Sequence, residues 1–313
     1  MKEYVLNYYP LFRCIAEKCK HTCCAGWEMN IDEQTLTNYK GYEGEFSSAL
    51  KSGINYKKSK FRTDKFKRCA FLNEEGLCEI IINLGEKSLC QVCTDHPRFR
   101  GFFEDRTETG LGFCCEEAAR IVLSFKGKIE PIMISDDRAE IELDINERNL
   151  LQFREKALNI VQDRTVNVNQ RIENLLALCN ANFLEEDFKK VIKTFLSLEK
   201  IDKEWTKKLK SITKTSFDKS TDQDLSLYCE QFLVNGLYRH LSDAEDTMWV
   251  RARTIALIFS WWVVKSVVNL ERTKTVNLLE TTIDAVRSFS AEVEYSQKNL
   301  DKLFNFCYKF IKI

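Results

Sequence analysis

The sequence is short of the residues that break regular structure. It holds three prolines and 11 glycines among 313 residues. Proline and glycine mark the turns of all-β proteins, so their scarcity favours a fold built mainly from helices. Charge of one sign is also lacking, because 47 Lys and Arg residues balance 47 Asp and Glu residues. A net charge of zero gives no general attraction to phosphate backbones or anionic membranes, so nucleic acid is not expected as a partner.

No long apolar run is present either. The longest, Ile255 to Val264, is interrupted by Ser260 and followed by Lys265, whereas a membrane-spanning helix needs about 20 apolar residues. We therefore expect a buried helix there and no membrane span. The segment Met1 to Phe12 lacks the apolar core and the cleavage site of a secretory signal. These observations predict a cytoplasmic protein.

The residues that are present predict cores and helices. Hydrophobic residues make up 44% of the chain and aromatic residues 12%, which argues against wholesale disorder. Short elements are expected upstream, with helices at 32–39 (Asp32 as N-cap), 79–84 and 116–126, strands at 110–115 and 129–134, and an acidic link at 136–144. From Glu147 onward helical spacing predicts helices near 147–163, 168–181, 185–199, 202–213, 221–241, 247–270, 275–290 and 292–311.

The predicted fold class is mainly α, in two domains. Residues 1–135 would form a cysteine-rich N-terminal region of short strands and loops that binds a metal or an iron–sulfur cluster. Residues 136–313 would form an all-helical C-terminal bundle. A chain of this length is compatible with two domains of ordinary size.

Cysteine is abundant and unevenly placed. Ten of the 13 cysteines lie between Cys14 and Cys115. In a reducing compartment, clustered cysteines more often bind metals or carry redox chemistry than form disulfides. The remaining three stand alone in helical patterns and are expected to be buried hydrophobic core: Cys179, Cys229 and Cys307.

The centre of the cysteine-rich half is the stretch from Cys69 to Arg98. It carries Cys69, Cys78 and the pair Cys90-x2-Cys93, whose spacing brings two sulfurs to one side of a turn. We expect it to converge on one soft-metal or iron–sulfur site with an upstream group and a downstream pair, namely Cys14, Cys19, Cys23 and Cys24, and Cys114 and Cys115.

The upstream group carries a constraint of its own. The adjacent Cys23 and Cys24 cannot easily face one metal from a regular element, so either the chain turns sharply near Gly26 or only one of them is a ligand. The spacing also differs from the loop of radical S-adenosylmethionine enzymes, because Gly26 occupies the position of the third cysteine. Radical chemistry is therefore not predicted.

A basic strip, Lys57 to Arg68, directly precedes Cys69 and holds seven basic residues and one acid, Asp64. Such a run is commonly a solvated face. Beside a thiolate-bound cluster it would also offset the negative charge of the cluster or of a cofactor carboxylate. On the second interpretation Arg68 is a predicted cofactor-binding residue, together with Arg98.

The cysteine series resembles that of the flagellin lysine-N-methylase family. The resemblance is carried by Cys14-x4-Cys19-x3-Cys23-Cys24-Ala-Gly-Trp27, by Cys69-x-Phe-Leu with Gly76-Leu-Cys78-x-Ile, by Leu84-Gly-Glu with Leu89-x3-Cys93 and Pro97-Arg98, and by Cys115 with Glu117-Ala-Ala-Arg120. The middle part is also similar to a broader group of cysteine-rich zinc- or iron-chelating proteins. A weaker likeness reaches the helical half at Glu230-Gln-Phe-Leu-Val-Asn235.

The resemblance implies a protein-lysine N-methyltransferase that transfers a methyl group from S-adenosylmethionine to surface lysines of flagellin and binds a [4Fe-4S] cluster. The family's cysteine positions fall here on Cys14, Cys19, Cys23, Cys24, Cys69, Cys78, Cys93 and Cys115, with Cys90 and Cys114 ranked lower. Two residues depart from the family pattern. His96 stands where an aromatic residue usually precedes Pro-Arg, and Glu116 stands where proline commonly follows the last cysteine.

Methyl transfer to lysine requires a neutral amine. The free amine has a pKa of roughly 10.4, so the site must desolvate it or supply a base. By nearness in sequence the candidate bases are Asp95, His96 and Glu104, with Glu108 behind them, although a lone histidine more often has no catalytic role. A cluster would either pin the loops together or hold the amino-carboxylate of the methyl donor. No glycine-rich dinucleotide-binding loop follows a strand, so the donor would bind in another way.

Two other functions stay open on the sequence. The protein could be a non-catalytic adaptor, in which zinc or iron staples the N-terminal half and the helices bind a partner. A thiol redox enzyme is less favoured, because a dedicated redox pair rarely needs eight companion cysteines.

Overall fold

A computed structural model describes residues 2–26, 28–136, 142–200, 202–215, 217–273 and 277–312. The strands are β1 (Lys2–Leu6), β2 (Ile54–Asn55), β3 (Lys60–Phe61), β4 (Arg98–Phe102), β5 (Arg106–Leu111) and β6 (Pro131–Asp136). The first helices are α1 (Glu33–Gly41), α2 (Ser47–Gly53), α3 (Glu79–Leu84), α4 (Gln91–Asp95) and α5 (Glu116–Ser124). The later ones are α6 (Ile145–Val161), α7 (Val168–Leu178), α8 (Phe188–Leu196), α9 (Lys203–Ile212), α10 (Ser226–His240), α11 (Thr247–Glu271), α12 (Leu278–Phe289) and α13 (Gln297–Tyr308), with a π-helical segment at Ser290–Glu294.

The mainly helical fold and the C-terminal helical bundle are therefore confirmed, and a small sheet accompanies them. Each of the eight predicted helices of the second half has a counterpart in the structure. The predicted helix at 275–290 and the predicted link at 136–144 fall partly outside the described residues, and so does Trp27 of the cysteine motif.

The chain divides into two compact units, and the division differs from the predicted boundary at 135/136. One unit, called here the helical unit, comprises Met1–Phe12 and Arg98–Ile313, and the other, the cysteine unit, comprises Arg13–Pro97. The reason lies in strand pairing. Strand β1 pairs in parallel with β5, with Lys2 opposite Arg106, so the first residues of the chain belong to the unit that also contains the helices.

The helical unit carries a four-stranded sheet in the order β4-β5-β1-β6. Strand β4 runs antiparallel to β5, and β6 runs antiparallel to β1. Gly110 of β5 lies opposite Phe99 of β4, and a Cβ at Gly110 would collide with the Phe99 ring and with Leu6. Glycine is required there because an aromatic side chain crosses the strand at close range.

Helix α11 is the centre of the bundle. Most of its 25 residues are buried, among them Ile255, Phe259 and Trp262, which confirms the expected buried helix. By length and composition it could cross a membrane, but 78% of its most apolar window is buried inside the protein. The three isolated cysteines are also buried in this core, as predicted: Cys179, Cys229 and Cys307.

A buried carboxylate ties the middle helices together. Glu230 of α10 is 2% exposed and accepts hydrogen bonds from Arg171 of α7 and from Arg164, each with a nearest N···O distance of 2.7 Å. The two guanidinium groups compensate its charge, as a buried carboxylate requires. Glu230 therefore links α10 to α7 and to the loop that precedes α7.

The cysteine unit has a separate small core. Its buried residues come from the short helices and from the β2–β3 hairpin, and they include two of the cysteines: Met29, Ile31, Leu36, Tyr39, Leu50, Ile54, Phe61, Cys69, Phe71, Ile80 and Cys90. Because the core is small, it gives this unit little stability by itself, and a metal or cluster bound by its cysteines would add to that stability.

Candidate functional site

One carboxylate brings α1 and α4 together in the cysteine unit. Asp32 is the N-cap of α1, as predicted, and its Oδ1 accepts from the backbone N–H of Thr35 at 2.9 Å. Its Oδ2 accepts from the backbone N–H of Gln91, the first residue of α4, at 2.8 Å. Burial raises the pKa of Asp32, but the bonds from Gln91 and Thr35 outweigh this effect, and the net pKa is lowered. The ionised carboxylate thus holds the start of α4, with Cys90, next to α1.

Cys90 and Cys93 form a hydrogen-bonded thiol pair at the start of α4. Cys90 is fully buried, and the thiol of Cys93 donates to its sulfur. This bond lowers the pKa of Cys90, whereas the bond to Cys90 and burial raise the pKa of Cys93. The hydrogen bond therefore favours the thiolate of Cys90 over that of Cys93, and the thiolate is the form of cysteine that binds a metal.

Cys69, Cys78 and Cys24 lie in the same neighbourhood. The backbone N–H of Cys69 donates to the carbonyl of Cys24 at 2.7 Å. Cys78 forms an isolated antiparallel β-bridge with Leu72 and is the N-cap of α3. Burial raises the pKa of Cys69 to about 12, and the thiols of Cys24, Cys78 and Cys90 add to the shift. A hydrogen bond from Cys23 lowers the pKa of Cys24 to about 7, against the effect of burial.

Five thiols are thus close enough to perturb one another's ionisation: Cys24, Cys69, Cys78, Cys90 and Cys93. We call them the thiol cluster. As donors they suit a soft metal or an iron–sulfur cluster. Nevertheless, in the described part of the chain no three His, Cys, Asp or Glu side chains are grouped so that they could hold one metal ion. The residue types fit such a group, but the side-chain positions do not form a ready-made ligand set.

The other predicted ligands are placed differently. Cys14 and Cys23 are exposed, and the thiol of Cys19 donates to the carbonyl of His21 at 3.3 Å. Cys115 belongs to the helical unit, where it directly precedes α5. Cys114, beside it, is partly buried, and burial raises its pKa to about 12. The predicted convergence of these residues with the thiol cluster stays a prediction.

The predicted bases also divide between the units. In the cysteine unit, Asp95 ends α4 and its Oδ2 accepts from Gln91 Nε2 at 2.8 Å, and His96 follows it as the C-cap. Glu104 lies in the helical unit, where its Oε2 accepts from the backbone N–H of Asp144 at 3.1 Å. Asp144 is the N-cap of α6. Asp95 and His96 are accordingly the candidates that share a unit with the thiol cluster.

The two predicted cofactor-binding arginines have structural partners. Arg68 donates to the carbonyl of Asn73 at 3.4 Å and lies beside Cys69 in the cysteine unit. Arg98, in the helical unit, donates from Nε to the hydroxyl of Tyr9 at 2.6 Å, and its guanidinium lies 5.7 Å from the centroids of the Tyr9 and Phe12 rings. Arg98 thus helps to hold β4 to the start of the chain.

Cys90 ranks below the family-position cysteines by the sequence resemblance, yet it is fully buried in the core of the cysteine unit. The signal was present in the Cys90-x2-Cys93 spacing, which one helical turn brings together. Tyr39 was missed. It lies in the same core, and burial first, then the nearby Cys90 and Cys93 thiols, raise its pKa above the usual range.

The chain is similar to known proteins over part of its length. No family model and no solved structure matches the chain. A lysine-N-methylase of Salmonella typhimurium is 24% identical over 172 residues, or 51% of this chain and 42% of that protein. The lysine-N-methylase of Salmonella choleraesuis is 24% identical over 158 residues, or 48% and 38%. The flagellar biosynthetic protein FliU of Salmonella muenchen is 25% identical over 121 residues, or 36% and 72%.

The chain spans less than half the length of the two lysine-N-methylases that it matches. Within that span the similarity is shared by two proteins of the same name and by one flagellar protein. Over about half of its own length, this chain is similar to lysine-N-methylases, and the similarity supports a methyltransferase-like enzyme.

Proposed function

We propose that the chain acts as a protein-lysine N-methyltransferase, which transfers a methyl group from S-adenosylmethionine to surface lysines of flagellin in the cytoplasm. The observation that carries the proposal is the similarity to two lysine-N-methylases and to a flagellar protein. The cytoplasmic location belongs to the proposal because a thiol-rich metal or cluster site needs a reducing compartment, in which clustered cysteines more often bind metals than form disulfides.

A [4Fe-4S] cluster is the cofactor that we propose for the cysteine unit. It needs four thiolates, and the thiol cluster offers five: Cys24, Cys69, Cys78, Cys90 and Cys93. Because no three of them are grouped as ligands in the described residues, binding would require their side chains to turn towards a common point. The bound group would supply a positively polarised iron for a carboxylate or amine to coordinate, and it would cross-link the loops.

The chain's own residues would handle the proton of the substrate. A lysine amine has to lose its proton before its lone pair can attack the methyl group. Asp95 and His96 are the candidate bases in the cysteine unit, and the bond from Gln91 Nε2 orients the Asp95 carboxylate. As the N–C bond forms, the C–S bond of the sulfonium breaks, so the donor leaves as a neutral thioether and the lysine becomes a methylammonium ion.

The test begins with protein purified without air. A brown protein that contains iron and sulfide and that transfers label from radiolabelled S-adenosylmethionine to flagellin lysines would support the proposal. Cys78→Ala and Cys93→Ala should lose the colour, whereas Cys307→Ala, a buried cysteine of the helical core, should retain it. Unchanged colour in both thiol-cluster variants would refute the ligand assignment.

The second candidate is the zinc-binding adaptor, which the thiol cluster alone would also allow. It predicts a colourless protein that contains zinc and leaves flagellin unlabelled. Absence of label with intact, iron-loaded protein and several flagellins would contradict the methyltransferase proposal itself.

A further inference from the structure

A half-open cavity of about 230 Å³ lies within the cysteine unit, between α1 and the connection from α3 to α4. Helix α1 contributes residues at i, i+3 and i+4, which share one helical face, and its C-cap residue follows them: Thr35, Asn38, Tyr39 and the C-cap Tyr42. The opposite wall comes from the end of α3 and the turn that follows it: Leu84, Lys87, Ser88 and Leu89. The sequence pattern of α1 thus builds one wall, and a short connection builds the other.

Internal hydrogen bonds fix both walls. The hydroxyl of Tyr39 donates across the cavity floor to the carbonyl of Ser88 at 2.5 Å, and Ser88 Oγ donates to the carbonyl of Leu84 at 2.9 Å. Asp32 holds the first turn of α1 to the start of α4. Because these groups are already satisfied by the protein, they shape the cavity and leave the recognition of a ligand to other side chains.

The groups that remain accessible to a ligand are one aromatic ring, one amide and one ammonium. Asn38 Oδ1 accepts from Gln34 Nε2 at 3.1 Å, which presents the Nδ2 donor edge of the amide. Tyr42, which is partly exposed, supplies aromatic surface, whereas Tyr39 is only 5% exposed and shapes the wall. Lys87 supplies a positive charge at the exposed rim. Of the described residues that line the cavity, none carries a carboxylate. A cationic guest such as a lysine side chain is therefore disfavoured, and a planar neutral ring with acceptor nitrogens is favoured.

Size narrows the choice further. Sites for whole small molecules measure roughly 300–1,000 Å³, so a cavity of about 230 Å³ holds one ring system and leaves the rest of the ligand outside. Leu89 of the cavity wall is the neighbour of Cys90 in sequence, and Tyr39 belongs to the same small core as Cys90. The remainder of a ligand anchored here would start at the edge of the thiol cluster.

We propose that this cavity binds the adenosine portion of the methyl donor. The base would lie against Tyr42 and accept a hydrogen bond from Asn38 Nδ2, and Lys87 would face the donor's carboxylate. The inference rests on the proposed function, because it takes S-adenosylmethionine as the donor. It also explains how a chain without a glycine-rich dinucleotide loop could bind an adenosyl group.

The test measures binding of radiolabelled S-adenosylhomocysteine to the full chain by equilibrium dialysis, with protein purified without air. Tyr42→Ala should weaken binding about tenfold, as expected for loss of an aromatic stacking surface, and Asn38→Ala should weaken it several-fold. Tyr42→Phe, which keeps the ring, should bind within about twofold of wild type. The matched control is Thr37→Ala, an exposed residue of α1 outside the cavity, which should bind as wild type.

The outcomes separate the two proposals. If wild type binds the ligand and methylates flagellin while Tyr42→Ala and Asn38→Ala bind equally well, the cavity is not the adenosyl site and the proposed function stands. If wild type neither binds the ligand nor methylates flagellin, the proposed function fails and this inference fails with it. Circular dichroism of each variant establishes that a loss of affinity is not a loss of fold.

Discussion

Replacing Glu230 by Gln should destabilise the helical unit strongly. Its carboxylate is 2% exposed and accepts from Arg171 and Arg164, with nearest distances of 2.7 Å. Removing one partner of a buried ion pair typically costs about 3–5 kcal/mol, because the other charge stays buried without compensation. The side chain of Arg164 is 41% exposed and can regain water, whereas that of Arg171 is 7% exposed and cannot.

We therefore take the lower end of that range and expect a loss of about 3 kcal/mol in the free energy of unfolding. For a unit of this size the melting temperature should fall by roughly 6–12 °C. Urea unfolding followed by far-ultraviolet circular dichroism measures the change. Glutamine preserves the volume and one acceptor, so the loss reports the charge and not a cavity.

The matched control is Glu173→Gln. Glu173 pairs with Lys219 at 3.3 Å, but both side chains are about half exposed, and such surface pairs contribute about 0–1 kcal/mol. A loss below about 1 kcal/mol for Glu230→Gln, or equal losses for the two variants, would refute the reasoning from burial.

Two further predictions concern the helical unit. Burial opposes ionisation of Glu294, but Arg239 and a 2.8 Å bond with His240 lower its pKa to about 2. The ionised carboxylate therefore contributes stability above pH about 4.5, and this contribution is lost as the pH falls towards 2. In Glu294→Gln, the melting temperature should accordingly fall less steeply with decreasing pH over this range. Gly110→Ala forces a Cβ against the Phe99 ring and should cost about 1–3 kcal/mol in the same urea assay.

Each of these predictions has a contrary outcome. An unchanged acid limb in Glu294→Gln would mean that other carboxylates govern acid unfolding. For Gly110, the control is Gly41→Ala, where an added Cβ meets no atom within 4 Å. If the two alanine variants were equally stable, close approach across the strand would not be the reason for glycine at position 110.

Local signals predicted the helices well. Asp32 was recognised as an N-cap because a short acceptor side chain preceding a helical pattern has a direct physical role there, and α11 was recognised from its apolar spacing. Strand β4 was missed, because its sequence Arg-Phe-Arg-Gly-Phe alternates charge and aromatics without an apolar face. The parallel pairing of β1 with β5 was missed as well, since more than 90 residues separate the strands and no local pattern encodes that contact.

The candidate site stays a prediction. Spacing predicted Cys69, Cys78 and Cys93 as ligands; these thiols affect one another's ionisation together with Cys24 and Cys90, but no three metal-binding side chains are grouped in the described residues. Spacing alone does not show which cysteines share a unit, and Cys115 belongs to the helical unit whereas the thiol cluster belongs to the cysteine unit. The ionisation order within the Cys90–Cys93 pair depends on burial and on one hydrogen bond, and these are properties of tertiary structure.

The guanidinium of Arg98 lies over the ring of Phe12, and these are the two residues of the helical unit that flank Arg13–Pro97 along the chain. The chain thus leaves the helical unit at Phe12 and re-enters it at Arg98, and these two residues are in contact. Residues 13–97 could therefore be replaced as one piece, because a short linker could join Phe12 to Arg98 without disturbing the core of the helical unit. The sheet and bundle of the helical unit would then act as a scaffold into which the cysteine unit is inserted.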